Sequence, residues 1–280
     1  MSEQTESRVV VITGGTKGIG RALVEAFLKR DVRVVFCSRN EHEIVLALKT
    51  LRQTFAHDRV SACVCNVSVY DDVRALWDHA IAQFGRVDLW INNAGTSTRQ
   101  RAFTELSADE ITAVVTSNLL GTLHCAHVAL RCMIAQGHGA LYTMEGFGSD
   151  GAKQRGMSVY GSSKYAIRYL TQSLTRELKD SGVIVGSLGP GVVLTELLVN
   201  AYEQGDPALW ARAKWWFRFI ADPAETVASW LTERVLANRV HGRHFAYMTL
   251  RKAMLRLAQP RYHRRALSAL YERSQDSSSE

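Results

Sequence analysis

Apolar residues along this 280-residue chain fall into two alternating textures. Short aliphatic runs, such as Val9-Val-Val-Ile12, recur at 8–13, 32–38, 60–65, 87–91, 138–144, 183–188 and 243–247. Continuous runs of this kind suit strands buried on both faces of a parallel sheet. Between them apolar positions recur at helical spacing, as in Ala22, Leu23, Ala26 and Phe27. That spacing predicts helices over 18–29, 41–55, 71–84, 107–135, 158–180 and 223–237. Strand and helix in alternation predict a single-domain α/β fold with a doubly wound parallel sheet. The alternation ends near residue 248, so 1–248 is read as the domain and 249–280 as an extension. Within it Thr249-Leu-Arg-Lys-Ala-Met-Leu-Arg-Leu-Ala258 predicts a basic amphipathic helix, and 274–280 a disordered tail. No internal repeat is present.

The first strand runs into Thr13-Gly-Gly-Thr-Lys-Gly-Ile-Gly20 and then into a helix. In that setting Gly14, Gly18 and Gly20 let the backbone turn tightly and approach a pyrophosphate at the helix N-terminus, a Rossmann arrangement. Cofactor choice is read after the second strand, where a carboxylate would bind ribose hydroxyls and favour NAD. Ser38 and Arg39 stand there, and Lys17 lies in the glycine turn. Two cations without an acid suit a 2′-phosphate, so NADPH is expected. Further along, Tyr160-Gly-Ser-Ser-Lys164 puts a phenol and an ammonium one turn apart on one helix face. The ammonium stabilises the phenolate and is expected to lower the tyrosine pKa, which suits proton delivery to a carbonyl oxygen receiving a hydride.

In this order the motifs resemble the short-chain dehydrogenase/reductases over roughly residues 8–200. Thr13–Gly20 is similar to the family's glycine turn, and Asn92-Asn-Ala-Gly95 to the motif ending its fourth strand. Asn118 falls where the family has an asparagine that helps hold the catalytic lysine through a water. Tyr160 and Lys164 match the catalytic pair, and Pro190-Gly191 with Thr195 the stretch that holds the nicotinamide. The resemblance implies NADPH/NADP+ held by Gly14, Thr16, Lys17, Gly18, Ile19, Gly20, Ser38, Arg39, Asn66, Val67, Asn93, Ala94, Gly95, Tyr160, Lys164, Pro190, Gly191, Val193 and Thr195. Asn66 replaces an aspartate that binds the adenine amino group, and its amide oxygen can accept the same bond. The resemblance also implies subunits paired through 107–135 and 158–180, as a homodimer or homotetramer. No metal is expected.

One residue departs from the family pattern. Aligning Gly148 with the family's glycine puts Glu145 where a catalytic serine belongs. Met144-Glu-Gly-Phe-Gly-Ser149 resembles the Met-Asp-Gly-Ala-Gly-Ser run of the chlorophyll b reductases, which reduce a chlorin formyl group to hydroxymethyl. Trp90–Thr96, Val159–Lys164, Gly189–Leu198 and Pro223–Ala228 point to the same branch. Two roles for Glu145 stay open, beside that of a salt-bridged bystander. Burial can keep it protonated, so that it donates a hydrogen bond to the carbonyl oxygen. Alternatively it binds a polar or metal-bearing substrate group while Ser149 or a backbone N–H steadies the oxygen.

Composition adds the substrate class and the surroundings. Residues 195–220 are read as a flap carrying Trp210, Trp215, Trp216, Phe217 and Phe219 among Arg212, Lys214 and Arg218, which suits a bulky apolar substrate. The net charge of +7 is concentrated between Arg234 and Tyr271, where nine Lys/Arg meet no acid. That stretch reads as a solvated face or as a contact to an anionic membrane surface or acidic partner; no nucleic-acid motif accompanies it. Five cysteines in apolar runs, a polar start and no run of about twenty apolar residues predict a cytoplasmic protein without a spanning helix, peripheral to a membrane at most. The expected activity is NADPH-dependent reduction of an aldehyde or ketone. A sterol, lipid or quinone dehydrogenase, and a non-catalytic NADP-binding scaffold, are the alternatives.

Overall fold

The computed structural model describes residues 7–203 and 207–265. The first half alternates β1 (Val9–Thr13), α1 (Gly18–Leu28), β2 (Arg33–Ser38), α2 (Glu41–Thr54), β3 (Val60–Val64), α3 (Tyr70–Phe84) and β4 (Leu89–Asn92). Then come α4 (Ala108–Val114), α5 (Gly121–Gln136), β5 (Gly139–Met144), α6 (Ser158–Glu177) and β6 (Val183–Gly189). The chain continues through β7 (Val192–Leu194), α7 (Glu196–Glu203), α8 (Pro207–Ile220) and β8 (Ala221–Pro223). It closes with α9 (Ala224–Ala237), β9 (His244–Ala246), α10 (Leu250–Leu257) and α11 (Pro260–His263). Seven parallel strands form one sheet in the order β3-β2-β1-β4-β5-β6-β9. The order reverses between β1 and β4, which opens a crevice at their C-terminal ends.

The unbroken apolar runs follow from burial on both faces. In β1, Val10 and Ile12 join Leu23, Phe27, Phe36 and Leu231 in a core beneath α1, α2 and α9. Val11 points the other way, onto Trp77, Trp90, Met133 and Leu141 beneath α3 and α5. A period of two therefore finds an apolar layer on either side. All five cysteines are free thiols, three of them buried.

The helix expected over 107–135 runs from Ala108 to Gln136, with a wide π turn over Val115–Leu120 between α4 and α5. Ser107 and Glu110 start it with reciprocal side-chain to backbone bonds of 3.2 and 3.0 Å. By length and composition this helix could cross a membrane, contrary to the expectation that no such segment exists. Its apolarity is accounted for by the core, since Cys125, Ala129 and Met133 pack among the buried residues beneath the sheet.

Two features are added to the doubly wound sheet. β7 and β8, three residues each, pair in parallel and clamp the base of the flap, which consists of α7 and α8. Beyond β9 the extension forms the expected helix, α10, with Thr249 as its cap. It folds back against α8, where Arg256 meets Asp222 at 2.7 Å and Arg265 meets it at 3.0 Å. The expected tail over 274–280 lies outside the described residues.

Candidate active site

The cofactor end of the crevice is stitched together by Thr13 and Asn93. Thr13 Oγ1 accepts the Asn93 and Ala94 N–H groups, both at 3.0 Å. The Asn93 amide donates to the carbonyls of Thr13 at 2.9 Å and Gly14 at 3.1 Å. A Cβ on Gly20 would lie 2.0 Å from the Gly14 carbonyl oxygen, so only glycine lets α1 approach the turn. Lys17, the N-cap of α1, gives it no side-chain cap, and no acid occupies its first turn. An uncapped helix N-terminus above a glycine turn fits a pyrophosphate. Gly191, at φ +73°, follows Pro190 in the Pro190–Thr195 stretch facing that turn, and Val193 and Thr195 line the same cleft as Ile19.

The adenosine side holds a residue that the sequence reading missed. Lys17 Nζ lies 2.9 Å from Glu43, which also accepts from Thr16 Oγ1 at 3.1 Å. An acid therefore does face Lys17, supplied by the first turn of α2 rather than by the end of β2. Burial pushes the Glu43 carboxyl up, but bonds from Lys17, Thr16 and Ser38 outweigh it and hold the pKa below the usual range. The Asn40-x-x-Glu43 spacing of a capped helix start was the available signal. Arg39 is exposed beside it. Asn66 already accepts from Ser68 at 2.9 and 3.2 Å, and Val67 is buried against Gly121.

The Tyr160–Lys164 end stands where α6 packs beside β5 and β6. Lys164 Nζ donates to the Met144 carbonyl at 3.1 Å and lies 5.7 Å from the centre of the Tyr160 ring. Asn118 projects from the π turn, a local widening of the kind that clusters at functional sites. Its amide donates to the Thr96 carbonyl at 2.9 Å and Ser163 Oγ at 3.1 Å, and its oxygen accepts the Thr96 N–H at 2.7 Å. It thus ties the Gly95 turn to α6, and its side chain is committed to those partners.

Burial dominates the Tyr160–Lys164 pair. It pushes Tyr160 up to about 12 and Lys164 down to about 8, the latter opposed by the negative charge of Glu145. The expected depression of the Tyr160 pKa by Lys164 is therefore corrected: desolvation of the phenolate wins.

Glu145 is buried and its carboxylate is occupied. Ser149 Oγ donates to it at 3.0 Å, and Arg168 and His244 lie at 3.5 and 3.4 Å. Burial alone would raise its pKa, but the hydrogen bond and charge of His244, with the Ser187 and Ser149 hydroxyls, bring it to about 2. The carboxylate is therefore the form these partners favour. The residue beside the phenol is Gly146, where a Cβ would lie 2.5 Å from Tyr160 Oη.

Comparison with known proteins decides the family. The model of the short chain dehydrogenase family matches residues 8–206. The chain belongs to that family. Among curated relatives of this short-chain dehydrogenase is the chloroplastic chlorophyll(ide) b reductase NOL of Oryza sativa subsp. japonica, 36% identical over 233 residues, covering 81% of this chain and 66% of the relative. The probable chlorophyll(ide) b reductase NYC1 of the same plant is 34% identical over 266 residues, 89% of this chain and 51% of the relative. The chain thus spans about two thirds or half the length of these relatives. Solved structures agree on the fold: levodione reductase, 25% identical, superposes with a TM-score of 0.78 over 88% of this chain and 98% of that one. ElxO with NADP bound, also 25% identical, gives 0.74 over 86% and 96%. The expectation of a cytoplasmic protein is corrected by these relatives, which are chloroplastic. Free thiols suit any reducing compartment, so they could not tell the two apart.

In this short-chain dehydrogenase a cleft of about 170 Å³ opens between Tyr160, the Pro190–Thr195 stretch and the flap. Ile19, Phe147, Met157, Val193, Leu197 and Leu198 make it predominantly apolar. Tyr202 closes one end and accepts from Gln154 at 2.9 Å. A larger concavity, of about 1110 Å³, runs along α5 and α6 and holds neither Tyr160 nor Lys164.

Proposed function

We propose that this chain is an NADPH-dependent reductase of an aldehyde or ketone on a bulky apolar molecule, the formyl group of a chlorin foremost. One observation carries the reading: a protonated phenol and a buried ammonium meet at the nicotinamide end of the crevice and open onto an apolar cleft. The names of the plant relatives support the chlorin, and the NADP of the structural neighbour supports the cofactor.

The glycine turn and the α1 N-terminus would hold the pyrophosphate, Arg39 the 2′-phosphate, joined by Lys17 on release from Glu43, and Pro190–Thr195 the nicotinamide. When bound, NADPH supplies the hydride. Tyr160 gives its proton to the carbonyl oxygen, and a pKa of about 12 keeps that proton in place at neutral pH. Lys164 then stabilises the phenolate by charge. Glu145 acts on Lys164 rather than on the substrate, opposing the loss of its proton. Gly146 leaves the space beside the phenol open for the carbonyl oxygen. We also assign subunit pairing to the outer face of α5 and α6, where Tyr165 and Tyr169 stand exposed along the larger concavity.

Incubation with NADPH and chlorophyll b in mild detergent, followed by chromatography, tests the substrate. The expected product is the 7-hydroxymethyl derivative. An unchanged pigment, with NADPH binding confirmed in the same sample, would overturn the chlorin assignment.

A further inference from the structure

The flap and the extension form one cap whose outer face matches nothing in the reductase mechanism. On α8, Trp210, Phe217 and Phe219 turn inward; Trp210 and Phe217 pack on Tyr202, and Phe217 shares a small core with Leu194 and Ala221. Trp215 and Trp216 are left outward, 45% and 50% exposed, with their rings edge to face at 4.7 Å. On α10, Arg256 points inward, donating to the Phe219 carbonyl at 3.2 Å and pairing with Asp222. The opposite side of that helix therefore presents Leu250, Met254 and Leu255, which are 81%, 60% and 55% exposed. Among the described residues no large apolar side chain is more exposed than Leu250. α11 completes the cap: the His263 ring lies 5.0 Å from Phe219, and its carbonyl accepts from Arg218 at 3.2 Å.

The charge on this cap has one sign. Arg212, Lys214, Arg251, Arg261 and Arg264 are exposed, and neither 207–221 nor 249–265 contains an Asp or Glu. Asp222, which follows 207–221 directly, is buried under Arg256 and Arg265. We propose that the outer face of α8 and α10 docks on an anionic lipid bilayer. Acyl chains would take the tips of Leu250, Met254 and Leu255, indoles favour the headgroup level, and the cations meet lipid phosphates. An acidic protein would answer the cations alone. It would not explain the exposed aliphatic tips of α10 or the exposed indoles of α8, the helix against which α10 packs.

Docking requires neither cofactor nor carbonyl substrate, so it stands apart from the reductase reading. Co-sedimentation of the full chain with vesicles of phosphatidylcholine, with and without phosphatidylglycerol, tests it. Binding is expected only to the anionic vesicles, weakening with salt and shifting tryptophan emission to the blue. The double variant Leu250→Glu, Met254→Glu alters two exposed tips, so its circular dichroism and nucleotide binding should match those of the parent. Its bound fraction should fall at least about tenfold. No binding at low salt, equal binding by the double variant, or binding without an emission shift, as an acidic-protein site would give, would each overturn the proposal.

Discussion

At Tyr160 and Lys164 the same physical cause acts in opposite senses. Removing water disfavours each charged form, so the phenol holds its proton up to about 12 while the ammonium begins to lose its own near 8. A reduction needs both groups protonated, and the lysine sets the upper limit. Activity should therefore fall as pH rises through about 8. Glu145→Gln removes the charge that opposes deprotonation, so the alkaline limb of kcat should move to lower pH while the NADPH Kd stays near that of the parent. An unmoved limb would detach Glu145 from Lys164. Stability reads the same carboxylate independently. Its folded pKa of about 2 lies below the unfolded value of 4.5, so its contribution is complete above pH 4.5 and lost as pH falls toward 2. That contribution is on the order of 3 kcal/mol, and urea titrations of the Gln variant should lack it in that window. Gly146→Ala tests the space beside the phenol: a Cβ 2.5 Å from Tyr160 Oη should lower kcat about a hundredfold or more while NADPH still binds. Gly146 was not legible in the sequence, and Glu43 showed only as part of the capped start of α2. Motif spacing pointed to Glu145 for the first role. For the second, the acid that meets Lys17 arrives from the following helix.

Elements differ in how plainly the sequence announces them. β1, β2 and β5 were legible because both their faces are buried, which leaves apolar runs between glycine and polar breaks. α10 was legible from its alternating Leu and Arg. The π turn within Ala108–Gln136 was not, because the hydrophobic pattern continues through it. β7 and β8 were not, because three residues carry no period. Their pairing depends on a distant contact, with Asp222 of β8 holding Arg256 and Arg265 of the extension. Asp222→Ala would leave the buried Arg256 without its counter-ion. We expect a loss of about 3–5 kcal/mol in urea unfolding. A loss below about 1 kcal/mol would mean that the cap does not depend on this pair.

At the scale of the whole molecule, the reversal of strand order between β1 and β4 places the glycine turn, the Asn93 turn and the Tyr160–Lys164 pair around one crevice. Much of that plan was readable from the order of motifs. The cap was not, since it brings residues 207–220 onto 249–265 by contacts far apart in sequence. Net charge alone also misled, because two of the arginines in the basic C-terminal stretch are spent on Asp222 inside the protein. The central claim is that Tyr160 passes the proton in a reduction by a nicotinamide cofactor. The direct test is a single-turnover measurement of NADPH oxidation with an apolar aldehyde, by the parent and by Tyr160→Phe, with the NADPH Kd of each taken in the same buffer. The account predicts a loss of about a thousandfold in rate with the Kd changed by less than about twofold. A Tyr160→Phe enzyme that binds NADPH and turns over at the parent rate would contradict it.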